Sequence, residues 1–263
     1  MRVLQLSDPH LLAAPRGSYR GRRPMDCLAQ ALRESLVQLP HPPDLLLLSG
    51  DLCQDESLGG YVNLRRLVEP LAIPLALLPG NHDHPQLLRA ALGPRASAIA
   101  PALLELQGAR LLLLDSHKAG ATAGWLGQAQ MGWLAHQLEG LEQAAVRLPL
   151  LVAVHHPPVP IGDPVMDAIG LLDGAELLER LLPVEDLVAV VFGHIHQHWA
   201  GSLPGRPEVP LLGCPSTLCS FGPVQPCPLG RPDDPGGRLL EAGGFPGAAQ
   251  GGFQQTLLRW LPP

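Results

Sequence analysis

Six short runs rich in leucine and valine recur along the chain, and they constrain its fold more than any other feature. They lie at residues 3–6, 45–48, 75–78, 111–114, 150–154 and 187–192. Continuous apolar runs of this length are typical of strands that are buried on both faces of a sheet. The chain is therefore predicted to form sheets that are covered on both sides.

Segments with a helical spacing of apolar residues lie between these runs. The clearest spans residues 25–39, with Pro24 in its first turn, and similar patterns cover 58–68, 128–141 and 174–182. Strands that alternate with helices predict a layered α/β fold. Because 46% of the 263 residues are hydrophobic, they can supply the core of a single domain over residues 1–263.

The end of the chain has a different composition. Residues 222–252 are dominated by glycine and proline, which predicts a long loop or a partly disordered excursion. Residues 253–261 alternate well enough to predict a closing strand.

Charge and cysteine content limit the classes of partner and compartment. A net charge of -6 argues against binding to nucleic acid or to an anionic membrane. Five cysteines without C-x-x-C spacing indicate neither a disulfide framework nor a cysteine zinc site. The first residues lack the apolar segment of a signal peptide, and no run reaches transmembrane length. We therefore expect a cytoplasmic protein without membrane insertion.

Polar residues capable of binding a metal follow five of the six apolar runs. In chain order they are Asp8 and His10; Asp51; Asn81, His82 and Asp83; His155 and His156; and His194, His196 and His198. In an open α/β sheet, ligands bind beyond the carboxyl ends of the strands. Five strand ends would therefore bring these side chains to one rim.

Each group alone has an ordinary structural explanation. Asp51 after a glycine suits a turn that caps a helix, and His155-His156-Pro157-Pro158 suits an exposed turn. The sequence 80–83, Gly-Asn-His-Asp, is harder to explain, because these three polar side chains are costly to bury without partners. An amide oxygen suits a hard divalent ion, and an imidazole suits a borderline one. The ordered set of groups favours a metal site.

The blocks D-x-H at 8–10, G-D at 50–51, G-N-H-D at 80–83, H at 155 and G-H-x-H at 193–196 resemble the calcineurin-like metallophosphoesterase superfamily. The resemblance covers about residues 1–220. Within the superfamily, the chain is most similar to bacterial class III cyclic nucleotide phosphodiesterases, with Pro-Ser-Thr at 215–217 as a further match. The resemblance implies a layered fold in which central β-sheets, a β-sandwich, are flanked by helices.

The resemblance also implies two divalent metal ions bridged by Asp51. Asp8, His10 and His196 would complete one site, and Asn81, His155 and His194 would complete the other. Iron with manganese is the expected pair, and zinc or cobalt would also suit these ligands. His156 is expected to lie behind the ligands or in solvent, and His84 and His198 are expected to play no part.

The implied reaction converts a 3′,5′-cyclic nucleotide, such as cyclic AMP to AMP, by attack of a metal-bridging hydroxide on phosphorus. His82 is predicted to contact the phosphate and to protonate the leaving alkoxide. Asp83 is predicted either to hold His82 in the required tautomer or to cap a helix. The substrate is expected to lie against His10, Asp51, Asn81, His82 and His196.

Other functions are compatible with parts of this pattern. A metallophosphoesterase that acts on another phosphodiester or on a phosphomonoester is the nearest alternative, and the stretch 116–127 holds no recognisable motif for substrate selection. A non-catalytic protein-binding scaffold is a remote alternative, because scaffolds tend to lose ligands and the set here is complete. The resemblance is compatible with a homodimer. Four arginines form a solvated loop or guide an anionic substrate: Arg16, Arg20, Arg22 and Arg23.

Overall fold

The computed structural model describes residues 1–244 and 252–263. Its strands are β1 (Arg2–Leu6), β2 (Leu45–Ser49), β3 (Leu75–Leu78), β4 (Ala98–Ile99), β5 (Ala102–Leu106), β6 (Ala109–Leu114), β7 (Leu150–Val154), β8 (Leu187–Phe192), β9 (Trp199–Leu203), β10 (Arg206–Gly213), β11 (Gly236–Ala242) and β12 (Phe253–Arg259). Its helices are α1 (Pro24–Gln38), α2 (Leu58–Val68), α3 (Pro85–Leu92), α4 (Gly127–Glu142), α5 (Pro164–Asp167) and α6 (Gly174–Leu181).

The strands form two mixed sheets of six strands each, in the orders β12-β11-β1-β2-β3-β4 and β5-β6-β7-β8-β10-β9. Strands β1 to β4 are mutually parallel, as are β6, β7, β8 and β10. Antiparallel strands complete the sheets: β11 and β12 in the first, β5 and β9 in the second. Because parallel strands end on the same side, each sheet presents several carboxyl ends at one edge.

Side-chain burial shows why the strand runs are continuously apolar. Leu45 and Leu47 of β2 pack between the two sheets, together with Leu111 of β6. Leu46 and Leu48, which alternate with them, pack on the opposite face in a cluster with residues of α1, α2 and α3. A third cluster joins the outer face of the second sheet to α4 and α6. The predicted layered α/β fold, a β-sandwich flanked by helices, is confirmed.

The elements predicted from periodicity are present. All six apolar runs form strands, and the four predicted helices correspond to α1, α2, α4 and α6 with ends shifted by at most two residues. The elements that periodicity did not indicate are short or lie toward the sheet edges. An example is β4, which has two residues and pairs with β3 through Ala98 and Ile99.

The prediction of a loop over 222–252 was wrong for residues 236–242. These form β11, which lies between β1 and β12 in the first sheet. The sequence of β11 does not resemble the other strands, because it begins with two glycines and contains a charged residue, Arg238, which is fully buried. The remainder of that prediction at 245–251 lies outside the described residues, and the closing strand is β12. Within the described ranges, no helix is both long and apolar enough to cross a membrane.

Candidate metal centre

The turns after the parallel strands have an unusual backbone conformation. Asp8, His10, Asp51, His194 and His196 adopt left-handed φ angles of 53°, 48°, 50°, 68° and 54°. Each such residue other than glycine costs about 1–3 kcal/mol, and this strain persists where the surrounding structure holds it in place for function. Five of the predicted ligands therefore occupy strained backbone positions.

Backbone hydrogen bonds lock the first two turns together. The N–H of Asp8 donates to the carbonyl of Gly50 at 3.1 Å, and the N–H of His10 donates to the carbonyl of Asp51 at 3.0 Å. The side chain of Asp8 in turn accepts the backbone N–H of His194 from the second sheet at 3.2 Å. These contacts hold ligands from both sheets in one arrangement.

Two glycines allow the predicted ligands to approach each other closely. A Cβ atom at Gly50, where φ is +102°, would lie 2.1 Å from Nδ1 of His155. A Cβ atom at Gly80 would lie 2.2 Å from Oδ1 of Asp51. Both motifs therefore require glycine at these positions, since any side chain would collide with a predicted ligand.

The first candidate metal pocket brings together Asp8, His10, Asp51 and His196. These four side chains are buried, and their donor atoms all lie within 4.8 Å of one another. The Nε2 atoms of His10 and His196 are 2.9 Å apart, and Nε2 of His196 is 3.5 Å from Oδ1 of Asp8. Carboxylates and imidazoles at this spacing are suited to holding a divalent cation.

The predicted ligands of the second metal, which we call the second candidate metal pocket, carry several buried atoms without a partner. Oδ1 of Asn81, Nε2 of His155 and both ring nitrogens of His194 make no hydrogen bond within the described part of the chain. Buried polar atoms are normally paired, so each of these needs an explanation. His155 and His194 lie together, with ring nitrogens of both among donor atoms that are all within 4.8 Å of one another. A cation between them would satisfy the unpaired imidazole lone pairs, and the unpaired amide oxygen of Asn81 is of the type that binds a divalent ion. The residues therefore fit a metal ion.

Asp51 connects the two pockets. Its Oδ2 atom lies 3.8 Å from Nε2 of His10 in the first pocket, and its Oδ1 atom lies 3.5 Å from Nε2 of His155 in the second. One carboxylate oxygen thus faces each pocket, as a bridging ligand requires. The Asp and His side chains are placed for a dinuclear metal site.

Hydrogen bonds behind the ligands orient the imidazoles. Nδ1–H of His155 donates to the carbonyl of Ser49 at 2.7 Å, and Nδ1–H of His196 donates to the carbonyl of Cys219 at 3.0 Å. Because a carbonyl only accepts, the proton of each neutral ring resides on Nδ1 and the lone pair on Nε2 is available to a metal.

His156 uses both of its ring nitrogens elsewhere. Nε2–H donates to the carbonyl of Thr122 at 3.1 Å, and Nδ1 lies 2.8 Å from the hydroxyl of Ser116, from which it accepts. The ring is buried, and this burial lowers its pKa well below the ordinary value. This arrangement supports the assignment of His155, rather than His156, as the ligand.

In the metal-free protein, the charge of Asp51 favours a protonated imidazole beside it. Burial lowers the pKa of His155, but the adjacent Asp51 carboxylate outweighs it and raises the pKa to about 9. Burial, together with the charge of His155, lowers the pKa of His194 to about 3, so that ring is neutral. A protonated His155 therefore balances Asp51 in the metal-free protein, and a metal cation would take over that balance.

The predicted contact between Asp83 and His82 is corrected by the structure. The Asp83 carboxylate accepts hydrogen bonds from the backbone N–H groups of Leu52, Cys53 and Gly80 and from the hydroxyl of Tyr61, at 2.8–3.1 Å. Its oxygens point at the backbone because the two turns converge there. Asp83 thus holds the turn after β2 against the turn after β3, which carry Asp51 and Asn81.

His82 lies at the edge of the first pocket. Its backbone N–H donates to Oδ1 of Asp51 at 2.9 Å, and its half-buried ring packs edge-on against His10 with the ring centroids 5.3 Å apart. Its Nδ1 atom lies 3.3 Å from Nε2 of Gln54. The side-chain partner of His82 is therefore Gln54 and not Asp83.

Sequence reasoning missed three residues that shape this centre. Gln54 contacts His82, Tyr61 contacts Asp83, and Nδ1–H of His117 donates to the carbonyl of Gly80 at 2.9 Å. Gln54 alone carried a signal, because it follows Asp51 within the same block. Of the remaining histidines, His84 caps α3 and His198 contacts Arg238, as expected for residues outside the centre.

Comparison with known proteins places this geometry in a family. The family model described as calcineurin-like phosphoesterase matches residues 1–198. The chain belongs to this family. The phosphoesterase is 47% identical over 266 residues to a protein of Synechococcus sp. strain WH7803 named "Probable cyclic nucleotide phosphodiesterase", covering 98% of this chain and 96% of that protein.

Two more distant comparisons agree with this placement. The 3′,5′-cyclic adenosine monophosphate phosphodiesterase of Pseudomonas aeruginosa is 36% identical to the phosphoesterase over 221 residues, covering 84% of this chain and 78% of that protein. A crystal structure of a dimetal phosphatase from Danio rerio superposes with a TM-score of 0.62, 12% identity and 98% coverage of both chains. At that identity the second comparison shows the fold alone.

Proposed function

We propose that the phosphoesterase is a metal-dependent enzyme that hydrolyses 3′,5′-cyclic nucleotides, with cyclic AMP as the leading substrate. The observation that carries the proposal is the pair of buried pockets joined by Asp51, one of whose oxygens faces each pocket. Relatives at 47% and 36% identity are named as cyclic nucleotide phosphodiesterases. Those names supply the substrate class, and the geometry supplies the reaction type.

The proposed ligands divide between two divalent ions. Asp8, His10, Asp51 and His196 would hold one ion, and Asp51, Asn81, His155 and His194 would hold the other. When bound, such ions neutralise charge on a phosphoryl group and lower the pKa of water. The protein contributes the ligand tautomers, the strained turns and the burial that keep these donors in place. The phosphate is proposed to lie against His10, Asp51, Asn81, His82 and His196.

His82 is the proposed general acid. Its ring is half-buried beside the first pocket, and it lies next to Asn81 in sequence. A proton donated there to the departing ribose oxygen offsets the charge that develops as the P–O bond breaks. Such donation typically contributes about 10²–10⁴-fold to the rate. Asp83 supports this step by holding the turns that carry Asp51 and Asn81.

A substrate panel tests the proposal. Purified protein supplied with Mn²⁺ is assayed on cyclic AMP, cyclic GMP, 2′,3′-cyclic AMP and bis-p-nitrophenyl phosphate, with and without a chelator. We expect chelator-sensitive hydrolysis of a 3′,5′-cyclic nucleotide. Turnover of the aryl diester alone would support a phosphodiesterase of another specificity, and hydrolysis that resists the chelator would refute the metal-dependent mechanism.

Three finer parts of the proposal rest on sequence alone. They are an iron and manganese pair, a cytoplasmic location, and a homodimer that binds no nucleic acid. Elemental analysis of protein purified from its native host tests the metal pair. Cell fractionation tests the location. Light scattering, with and without added DNA, tests the assembly and the expected lack of binding.

A further inference from the structure

We propose that Gln54 is a positioning residue that sets the tautomer of His82 so that its proton resides on Nε2. The amide side chain of Gln54 lies between two histidines. Its Oε1 atom is 2.7 Å from Nδ1 of His10, and its Nε2 atom is 3.3 Å from Nδ1 of His82. The inference rests on the proposed function in that it concerns the proton His82 delivers.

The orientation of the amide follows from the metal pocket. Nε2 of His10 lies 2.9 Å from Nε2 of His196 and 3.8 Å from Oδ2 of Asp51, so this nitrogen faces the candidate ligand set. A metal ligand must offer its lone pair, which leaves the proton of the neutral ring on Nδ1. That Nδ1–H requires an acceptor, and therefore the oxygen end of Gln54 faces His10.

The other end of the amide is then a donor. An NH₂ group cannot accept a hydrogen bond, so Nδ1 of His82 must offer its lone pair to Nε2 of Gln54. The neutral His82 ring consequently carries its proton on Nε2. The tautomer of a metal ligand, His10, thus dictates the tautomer of the proposed acid through one side chain.

This tautomer suits the proposed step. Water forms the new P–O bond, the bond from phosphorus to the ribose oxygen breaks, and Nε2–H of His82 gives its proton to that oxygen. The proton lost by the attacking water restores Nε2–H over the cycle. A carboxylate at position 54 would accept from both rings, and it would draw the proton of neutral His82 to Nδ1 and leave Nε2 bare.

A backbone hydrogen bond fixes the position of Gln54. The N–H of Gln54 donates to the carbonyl of Leu11 at 2.8 Å, which ties the turn after β2 to the turn after β1. The neighbouring Asp55 lies in the same turn but binds away from the histidines, accepting from the N–H of Ala13 at 2.9 Å. Asp55 therefore provides a matched control position.

The experiment uses protein loaded with Zn²⁺, a diamagnetic ion that suits these ligands, and needs no activity. Two-dimensional ¹H–¹⁵N spectra of histidine-labelled protein, with the His82 signal assigned by comparison with His82→Ala, report which ring nitrogen is protonated in the neutral form. We expect Nε2–H in the unmodified protein and in Asp55→Asn, Nδ1–H in Gln54→Glu, and a mixture in Gln54→Met. Nδ1–H in the unmodified protein, or one unchanged tautomer in all variants, would overturn the proposal.

Kinetics then connect the tautomer to the reaction. Gln54→Glu should lower kcat on the cyclic nucleotide by about 10- to 100-fold, as is typical for residues that orient a site from behind. The loss on bis-p-nitrophenyl phosphate should be at least fivefold smaller, because its leaving group needs little protonation, and metal content should be unchanged. Equal losses on both substrates would overturn the role in proton delivery. An unmodified protein that is inactive on cyclic nucleotides would refute the proposed substrate without altering the spectra.

Discussion

The Arg238 network and the metal centre both hold buried polar side chains, and they differ in how well their hydrogen bonds are satisfied. In the Arg238 network, formed by Arg238, His198, Gln255 and the carbonyls of Trp199 and Gly213, every guanidinium nitrogen donates to an acceptor at 2.5–3.1 Å. In the metal centre, buried atoms of Asn81, His155 and His194 have no such partner within the described residues. The first cluster is complete as protein, whereas the second is suited to a ligand.

The backbone conformations of the Arg238 network and of the metal centre also differ. Arg238 lies on the regular strand β11, whereas the metal ligands lie in turns where five residues adopt left-handed φ angles. Regular backbone with paired side chains serves stability. Strained backbone that presents unpaired lone pairs serves binding, since the strain is retained at a cost to stability. Burial of charge alone would not have distinguished these two clusters.

The largest expected effect comes from removing the residue shared by both pockets. Asp51→Ala should lose essentially all metal-dependent turnover, because each pocket loses a ligand. Metal content, measured by elemental analysis, should fall below two ions per chain. Asp26→Ala, which changes a surface aspartate on α1 that pairs with Arg23, should retain both metals and activity. Two tightly bound ions in Asp51→Ala would contradict the bridging assignment.

Breaking the Arg238 network should destabilise the protein without emptying the metal centre. Arg238→Met leaves the carbonyls of Trp199 and Gly213 and the amide of Gln255 without their donor, and we expect a loss of about 3 kcal/mol in the free energy of unfolding. Urea unfolding of the metal-free protein measures it. Arg33→Met, at an exposed arginine, should cost less than about 0.5 kcal/mol. A loss below 1 kcal/mol for Arg238→Met would show that the network contributes little.

Metal binding should stabilise the metal centre and leave the Arg238 network unaffected. At a free Mn²⁺ concentration 100 times the dissociation constant, one site adds about 2.7 kcal/mol to the free energy of unfolding. Thermal unfolding should therefore shift upward on metal addition in the unmodified protein and equally in Arg238→Met. The shift should be smaller in Asn81→Ala, which weakens one pocket. An equal shift in Asp51→Ala would argue for binding elsewhere.

The smallest expected effect concerns pH. Burial, together with the Arg238 guanidinium, lowers the pKa of His198 from 6.5 to about 4. The unfolded chain thus binds the proton more readily, so the stability that neutral His198 contributes is complete above pH 6.5 and is lost as pH falls toward 4. His198→Gln, whose amide oxygen can accept from Arg238 but does not titrate, should lose less stability between pH 7.5 and 5 in urea unfolding of the metal-free protein. Identical pH profiles would remove His198 from this network.

Much of the fold and of the candidate centre was predictable from the chain alone. The strands β1, β2, β3, β6, β7 and β8 were predictable because continuous apolar runs reflect burial on both faces. The candidate ligands were predictable as a group because they directly follow those runs. Strand β11 was not, since its buried charge and leading glycines are acceptable only once Gly213, Trp199 and Gln255 surround Arg238.

The Gly80–Asp83 turn separates what the sequence predicts from what only the folded structure shows. By itself the sequence determined that an amide, an imidazole and a carboxylate follow a buried strand, because strand burial and turn chemistry depend on neighbouring residues. Only the tertiary structure decided that Asp83 binds the backbone of Leu52 and Cys53 and that His82 pairs with Gln54. Those partners are 28 to 31 residues away in the chain. A hydrogen bond requires that donor and acceptor be placed to within a few tenths of an ångström. Segments this far apart in the chain reach that precision only after the sheets have packed.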